Sequence, residues 1–160
     1  MASRKPSDKS PQKGPVVGGR LWGGLQAGEL VVVDTAPIIY LLEDHPRYAP
    51  LFAGLFEAFE RGQFQIAVST ITLAEVLVGP LRQKQDALAK RYEKALGGFD
   101  LVPVSVDITA TAARLRASLG LRLPDAIQAA TALELGAAAL VTHDRDFSKL
   151  QGLQVLFGEA

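Results

Sequence analysis

Two kinds of apolar pattern alternate along this chain. Short apolar runs, typical of strands buried on both faces, occupy residues 30–33, 65–69, 101–104, 138–142 and, more briefly, 154–156. Between them lie stretches with the helical spacing of apolar residues or a helix-forming composition, at residues 37–42, 51–61, 72–78, 81–96, 108–119 and 125–135. Strands that alternate with helices predict a central parallel sheet with helices on both faces, an α/β fold of three-layer α/β/α sandwich type.

Glycine and proline set the expected limits of several helices. The Gly-Pro pair at 79–80 is expected to stop the helix that begins at Thr72, because proline lacks the N–H that continues a helix. The Gly-Gly pair at 97–98 is expected to end the charged helix 81–96. These signals predict two separate helices on either side of the Gly-Pro pair.

The first 20 residues differ in composition from the rest. They are rich in Lys, Ser, Pro and Gly and have almost no apolar residue before Val16, which predicts a disordered basic extension. Residues 21–160 suit one globular domain with a single substantial core. Trp22 lies in the lead-in to that domain, and we expect it to dock on the domain or on a dimer partner.

Charge and cysteine content exclude several classes of protein. Five of the 17 basic residues but only one of the 17 acidic residues lie in residues 1–20, so the rest of the chain holds 12 basic and 16 acidic groups. Such a domain is not expected to bind nucleic acid by charge alone, and metal ions would have to supply part of the positive potential. Without cysteine, disulfide scaffolds and thiolate metal sites are excluded.

The expected location is the cytoplasm, without a membrane segment. The longest apolar stretch, residues 30–42, is only 13 residues long and contains Asp34, so it is too short and too polar to span a bilayer. The basic N-terminal residues are not followed by the hydrophobic core of a signal peptide.

Carboxylates follow the predicted strands. Asp34 comes directly after the first strand, Glu75 a few residues after the second, and Asp144 and Asp146 after the fourth, whereas Asp125 opens the preceding helix. In open parallel sheets ligands bind beyond the carboxyl ends of the strands, so these groups should converge. Clustered carboxylates repel one another unless cations neutralise them, and hard oxygen ligands without Cys or His favour Mg²⁺ or Mn²⁺.

Each acid also has an ordinary structural explanation. Asp34 could accept a backbone N–H at the start of the next helix. Thr72 and Glu75 have the spacing of a capping box, which would make Glu75 a purely structural residue. The remaining acids suit a first helical turn or a loop turn. Only their convergence on one edge of the sheet favours a site.

The segments around these acids resemble the PIN domains of VapC-type toxins. VVVDTAPIIYLLE at 31–43 resembles the family's opening motif, and TLAEVLVG at 72–79 resembles its second motif. The most specific likeness is LRLPDAIQAATALELGAAALVTHDRDF at 121–147, which resembles the third and fourth motifs together. The resemblance covers roughly residues 29–157, and it departs from the family at His143, where Asn or Arg is frequent.

The resemblance implies a fold, an activity and partners. It implies a PIN-like sandwich with an acidic pocket for Mg²⁺ or Mn²⁺, and endoribonuclease activity on structured RNA such as tRNA or rRNA. It also implies the toxin half of a type II toxin–antitoxin pair. The partner would be a small VapB-like antitoxin whose C-terminal segment blocks the pocket, and the toxin would form a homodimer.

The carboxylates are expected to have different roles in phosphodiester hydrolysis. Asp34, Asp125 and Asp144 are the expected direct metal ligands. Glu75 would act mainly through bound water, and Asp146 is a further candidate that would only order the loop if it is not catalytic.

Three other residues are candidates for substrate binding. Thr35 and Thr142 could hold a carboxylate or a phosphate by hydrogen bonds, although such threonines more often bond only to their local backbone. Arg145, between two site acids, could contact an RNA phosphate or form a salt bridge with those acids. His143 is expected to point away from the site, so it is not a candidate general base.

Two other functions compete with this interpretation. A phosphoacceptor module would use Asp34 as an aspartyl phosphate, but it would normally need a paired acidic cluster before that residue and a lysine after the last strand. A non-catalytic PIN domain would act as an RNA- or protein-binding module. Such domains typically lack one or more site acids, whereas every acid is present here.

Overall fold

The computed structural model describes residues 22–158, in which five strands form one parallel sheet. The strands are β1 (Leu30–Val33), β2 (Gln65–Ser69), β3 (Asp100–Val102), β4 (Ala139–Val141) and β5 (Gln154–Leu156). Their order across the sheet is β3-β2-β1-β4-β5, and every neighbouring pair is parallel. The chain therefore adds β2 and β3 on one side of β1, and then crosses to the other side of β1 to add β4 and β5. The carboxyl ends of β1 and β4 flank the point where the winding direction reverses, which is where open α/β sheets bind ligands.

Within the described residues, six helices cover the sheet. They are α1 (Thr35–Leu42), α2 (Ala53–Glu60), α3 (Thr70–Arg82), α4 (Asp86–Leu96), α5 (Val106–Leu119) and α6 (Leu123–Glu134). Three short 3₁₀ segments span Trp22–Gly24, Ala49–Phe52 and Arg145–Lys149. No helix in the described part of the chain combines the length and the apolar composition needed to cross a membrane.

Alternate residues of the central strand pack on opposite faces of the sheet. Val31 and Val33 belong to an apolar core with residues of α1, α2, α3 and α4, whereas Val32 belongs to a second core with residues of α5 and α6. All three valines are fully buried, as the unbroken apolar run predicts. The predicted three-layer sandwich is confirmed.

The prediction that the Gly-Pro pair ends a helix is wrong. Helix α3 continues through Gly79 and Pro80 to Arg82, and α4 begins only at Asp86. A proline ring normally clashes with the Cβ of the preceding residue when that residue is helical, and Gly79 has no Cβ. The Pro80 ring is also buried, which offsets the hydrogen bond that its nitrogen cannot make. The break comes instead at Lys84, whose φ is 56°.

The lead-in to β1 packs on the domain itself. The Trp22 ring lies 6.2 Å from the Phe52 ring, centroid to centroid. A Cβ added to Gly54 at the start of α2 would lie 2.9 Å from Cδ1 of Trp22, so the indole occupies the space that a side chain there would need. Of the two expected positions of Trp22, the structure shows the one on the domain. The predicted basic extension, residues 1–20, lies outside the described residues.

Candidate active site

Asp34 lies where β1 ends and α1 begins, beside the end of β4. Its N–H donates to the carbonyl of Val141, 2.8 Å away, which extends the β1–β4 pairing by one residue. Oδ1 accepts a hydrogen bond from the N–H of Thr35, and Oδ2 accepts one from Oγ1 of Thr142, each at 2.7 Å. The carboxylate therefore caps α1, as the structural alternative expected, and is also held against the end of β4.

The environment of Asp34 opposes its ionisation. The residue is only 7% exposed, and burial raises its pKa to about 6 from an ordinary value of 3.8. The two hydrogen bonds lower the pKa, but less than burial raises it, and the charges of Asp125 and Glu75 raise it further. A buried carboxylate with two acidic neighbours is a group that a bound cation would stabilise.

Asp125 lies in the first turn of α6 and is paired with Arg122. Nε of Arg122 donates to Oδ2 at 2.9 Å, and Nη2 donates to Oδ1 at 3.4 Å. Asp125 is 9% exposed as a residue, whereas the Arg122 side chain is 78% exposed. The hydrogen bond and charge of Asp125 raise the pKa of Arg122 most, and Asp144 and Glu75 raise it further. The charges of three site acids thus act on one guanidinium.

Glu75 is held by a network of three buried or half-buried polar residues. Oγ1 of Thr35 donates to Oε2 of Glu75. Nε2 of Gln128 donates to Oγ1 of Thr72 at 2.7 Å and to Oγ1 of Thr35 at 3.1 Å, and the two hydroxyls lie 2.9 Å apart. Since Thr35 gives its only hydroxyl proton to Glu75, the proton between the two threonines must come from Thr72. The network therefore has one direction, from Gln128 to Glu75.

The capping-box alternative for Glu75 is wrong. The N-cap of α3 is Ser69, whose Oγ accepts a hydrogen bond from the N–H of Ile71 at 3.3 Å. Thr72 is thus already inside the helix, and its hydroxyl bonds to Thr35 and Gln128 instead of capping. Glu75 lies one turn into α3 and is exposed, so no helix end requires it.

Thr142 connects the acids that follow β1 and β4. Its Oγ1 donates to Asp34 and accepts a hydrogen bond from the N–H of Asp144 at 3.0 Å. Oδ1 of Asp144 accepts a bond from the N–H of Asp146 at 2.9 Å and so caps the following 3₁₀ segment. Asp144 is half-buried beside the site, whereas Asp146 is exposed on the loop.

Arg145 and His143 both turn to aromatic neighbours. The Arg145 guanidinium lies 4.3 Å from the centroid of the Phe157 ring, and within residues 22–158 it forms no salt bridge with either flanking acid. Nδ1 of His143 lies 2.9 Å from the hydroxyl of Tyr40, and the two rings meet edge to face. Arg145 is exposed, which leaves it accessible to a phosphate.

Arg122 and Gln128 were missed by the sequence analysis. Their signal was positional: each lies three residues from Asp125, one turn before it or after it on the same side of α6. In an apolar, alanine-rich segment, a buried glutamine needs hydrogen-bond partners, and Gln128 is only 1% exposed. Its Oε1 is buried and has no hydrogen-bond partner among the described residues.

The carboxylates of this site are oxygen ligands of the kind that a hard divalent cation prefers. Asp34, Asp125 and Glu75 lie close enough for their charges to interact, and Asp144 acts on the same guanidinium as two of them. From Trp22 to Gly158, however, no three Asp, Glu or His side chains form a ready-made metal cage. Mg²⁺ usually binds through one or two carboxylates and keeps several waters, so an open arrangement of carboxylates suits it.

Comparison with known proteins identifies the family. A family model described as PIN domain matches residues 31–153. A toxin–antitoxin complex from Klebsiella pneumoniae contains a chain that is 31% identical, with a TM-score of 0.63 over 81% of this chain and 99% of that one. A search of curated proteins found no match.

Two more distant solved structures share the fold. A chain of VapBC2 from Rickettsia felis, bound to a DNA fragment from their promoter, is 22% identical, with a TM-score of 0.65 over 79% of this chain and 96% of that one. VapC20 from Mycobacterium tuberculosis, described as a Sarcin–Ricin loop cleaving toxin, is 15% identical, with a TM-score of 0.61 over 74% and 92%. This chain therefore belongs to the PIN domain family, and its structural neighbours include VapC-type toxins of VapBC pairs.

Proposed function

We propose that this protein is a Mg²⁺- or Mn²⁺-dependent endoribonuclease that cuts structured RNA, and that it is the toxin of a type II toxin–antitoxin pair. The observation that supports this most is that the charges of Glu75 and Asp125 act on the buried carboxylate of Asp34, where the sheet reverses its winding. These acids come from three different elements, and the capping of α1 by Asp34 does not explain why the charges of two further acids act on it. Electrostatic repulsion among them favours a cation as the resident group.

Asp34, Asp125 and Asp144 would hold the cation. When bound, a divalent cation lowers the pKa of a water molecule and polarises the phosphate. Asp34 is fixed by two hydrogen bonds, so its carboxylate is already positioned before a ligand arrives. Asp125 is buried at the N-terminus of α6, whose dipole favours its negative charge.

Glu75 would orient the attacking water. Thr35 occupies its Oε2, and Oε1 receives no hydrogen bond from the described residues, so that oxygen is available to accept a proton from water. Glu75 is exposed at the mouth of the site, where water and substrate can reach it. Asp146 would order the loop through its backbone bond to Asp144.

The RNA would reach the site past exposed basic groups. Arg145 is a candidate for phosphate contact, and Thr35 and Thr142 would keep the carboxylates in place instead of contacting RNA directly. The likeness to a toxin that cleaves the Sarcin–Ricin loop supports a structured RNA, either rRNA or tRNA, as the substrate class.

The partners would be a small VapB-like antitoxin and a second copy of this chain. The likeness to VapBC complexes supports the antitoxin. Production of the toxin without its antitoxin should arrest growth, and Asp125→Asn should relieve the arrest.

Cleavage of total cellular RNA by the purified protein tests the proposal. The assay compares Mg²⁺, Mn²⁺ and EDTA, and the variants Asp34→Asn and Asp125→Asn. Glu57→Gln, an exposed acid on α2, is the matched control for loss of one carboxylate. Discrete fragments that disappear with EDTA and in both site variants, but not in the control, are expected. Absence of both cleavage and metal binding would favour a non-catalytic PIN domain.

A further inference from the structure

Arg122 forms the one ion pair that the described residues make with a site carboxylate. Two of its three nitrogens donate to Asp125, Nε at 2.9 Å and Nη2 at 3.4 Å, in the forked arrangement that suits a guanidinium. The other ion pair in residues 22–158, Arg61 with Glu57, is exposed on both sides and longer, at 3.8 Å. Arg122 thus supplies positive charge at the candidate metal site.

The start of α6 does not need the Arg122 side chain. That side chain is 78% exposed, whereas the Asp125 side chain with which it pairs is 13% exposed. Arg122 is the N-cap residue of α6, yet its side chain makes no capping bond, and Pro124 in the first turn lacks an N–H that would need a partner. Its position is better explained by the acids that it faces.

More than one acid acts on Arg122. Besides Asp125, the charges of Asp144 and Glu75 act on its guanidinium. A long, exposed side chain at such a place can change partners at little cost in packing, because few contacts hold it. A divalent cation that binds Asp125 would displace it, since both compete for the same carboxylate oxygens.

We propose that Arg122 is a substrate-binding residue that exchanges partners: it pairs with Asp125 in the metal-free protein, and it binds a phosphate oxygen of the RNA when a metal ion takes that carboxylate. This inference rests on the proposed function. A guanidinium offers the same forked donors to a phosphate as to a carboxylate, so one side chain suits both states. The exchange also keeps the acids partly neutralised before metal binding and brings a cation to the substrate afterwards.

Mn²⁺ binding and RNA cleavage together test the exchange. Metal-free wild type, Arg122→Gln, Arg61→Gln and Asp125→Asn are titrated with Mn²⁺, and free Mn²⁺ is measured by electron paramagnetic resonance. Arg122→Gln should bind Mn²⁺ roughly threefold to tenfold more tightly, because the competing cation is gone. Arg61→Gln removes the same charge at the opposite edge of the sheet and should bind as wild type does.

The second measurement uses saturating Mn²⁺ and a labelled oligonucleotide that contains the site cut in the cleavage assay. Arg122→Gln should raise KM roughly tenfold and change kcat less, because a charged contact to phosphate is lost. Arg122→Lys, which keeps the charge but not the fork, should recover part of the loss. Tighter metal binding with weaker RNA binding is a combination that a merely structural arginine would not produce.

The outcomes separate the inference from the function. A wild type that binds no Mn²⁺ or cuts no RNA overturns the proposed function, and the inference with it. A wild type that does both, while Arg122→Gln binds Mn²⁺ equally or more weakly or keeps an unchanged KM, overturns the inference alone. Thermal melts of each variant check that it folds.

Discussion

Asp34 is buried, yet the proposed metal site requires it to be ionised. Its pKa of about 6 means that the folded protein binds a proton there more readily than the unfolded chain does, whose Asp has a pKa near 3.8. The stability that this proton contributes is complete below about pH 3.8 and is lost as the pH rises through 6. At neutral pH, ionised Asp34 costs the metal-free protein about 3 kcal/mol relative to an unburied aspartate.

Asp34→Asn should therefore stabilise the metal-free protein, and by more at higher pH. The asparagine can accept from the N–H of Thr35 and donate to the rotatable hydroxyl of Thr142, so both partners keep a bond. The gain in free energy of unfolding should grow from near zero at pH 4 to at most about 3 kcal/mol at pH 7.5. Urea denaturation in EDTA measures it, with the exposed Asp146→Asn as control. A variant less stable than wild type at every pH would show that Asp34 is chiefly a helix cap.

The hydroxyl of Thr35 links the hydrogen-bond network of Gln128 to Glu75, so it should matter more for activity than the methyl group of Thr35. Thr35→Val removes the donor to Glu75 and should lower kcat roughly tenfold, at a cost to stability of about 1 kcal/mol. Thr35→Ser keeps the hydroxyl and should retain most of the activity. Steady-state cleavage by both variants measures the difference, and a larger loss in Thr35→Ser than in Thr35→Val would show that the methyl group matters more than the hydroxyl.

At the scale of single elements, apolar runs predict the strands well because burial on both faces demands them. The limits of β1, β2 and β5 match the predicted ones. Helix ends are harder to predict, because they depend on tertiary contacts as well as on local residues. The Gly-Pro pair at 79–80 predicts the end of a helix, but α3 continues through it because Gly79 has no Cβ and the ring of Pro80 is buried.

Because α3 continues through this pair, we expect substitutions of Gly79 and Pro80 to have coupled effects on the free energy of unfolding. Outside its chain neighbours and the backbone of its own helical turn, a Cβ added to Gly79 meets nothing within 4 Å, so alanine should clash only with the adjacent proline ring. In a Pro80→Ala background, Gly79→Ala should raise the free energy of unfolding by about 1 kcal/mol, the usual helix gain. With Pro80 present the gain should be smaller or reversed. Urea denaturation of the four proteins in this cycle measures the coupling, and equal gains in both backgrounds would contradict the explanation.

At the scale of the whole molecule, the strand order decides which residues meet. The sequence places acids after strands, but only the order β3-β2-β1-β4-β5 brings the end of β4 beside Asp34. The acids could therefore be predicted as a group, because each follows a recognisable strand or opens a helix. Gln128 is harder to predict, because its partner Thr72 is 56 residues away in the chain, whereas Arg122 could have been found from its place one turn before Asp125.

Metal binding should stabilise the whole domain, because its ligands come together only in the folded state. With Mn²⁺ at about 100 times its Kd, the gain is about 2.7 kcal/mol, or roughly 5–10 °C in Tm. Calorimetry with and without Mn²⁺ measures it. The shift should vanish in Asp125→Asn and persist in Asp146→Asn. An equal shift in Asp125→Asn would mean that the ion binds somewhere else.

The chemistry of the cut ends tests the central claim, that carboxylates and a metal ion activate water to hydrolyse RNA. Fragments produced with Mg²⁺ are analysed by mass spectrometry, beside an RNA with a single 2′-deoxy sugar at the cut. Linear phosphate ends, with the deoxy substrate still cleaved, are the result predicted for attack by water. Cyclic 2′,3′-phosphate ends, formed in EDTA as well and absent from the deoxy substrate, would contradict the claim, because the RNA's own 2′-hydroxyl would then be the nucleophile.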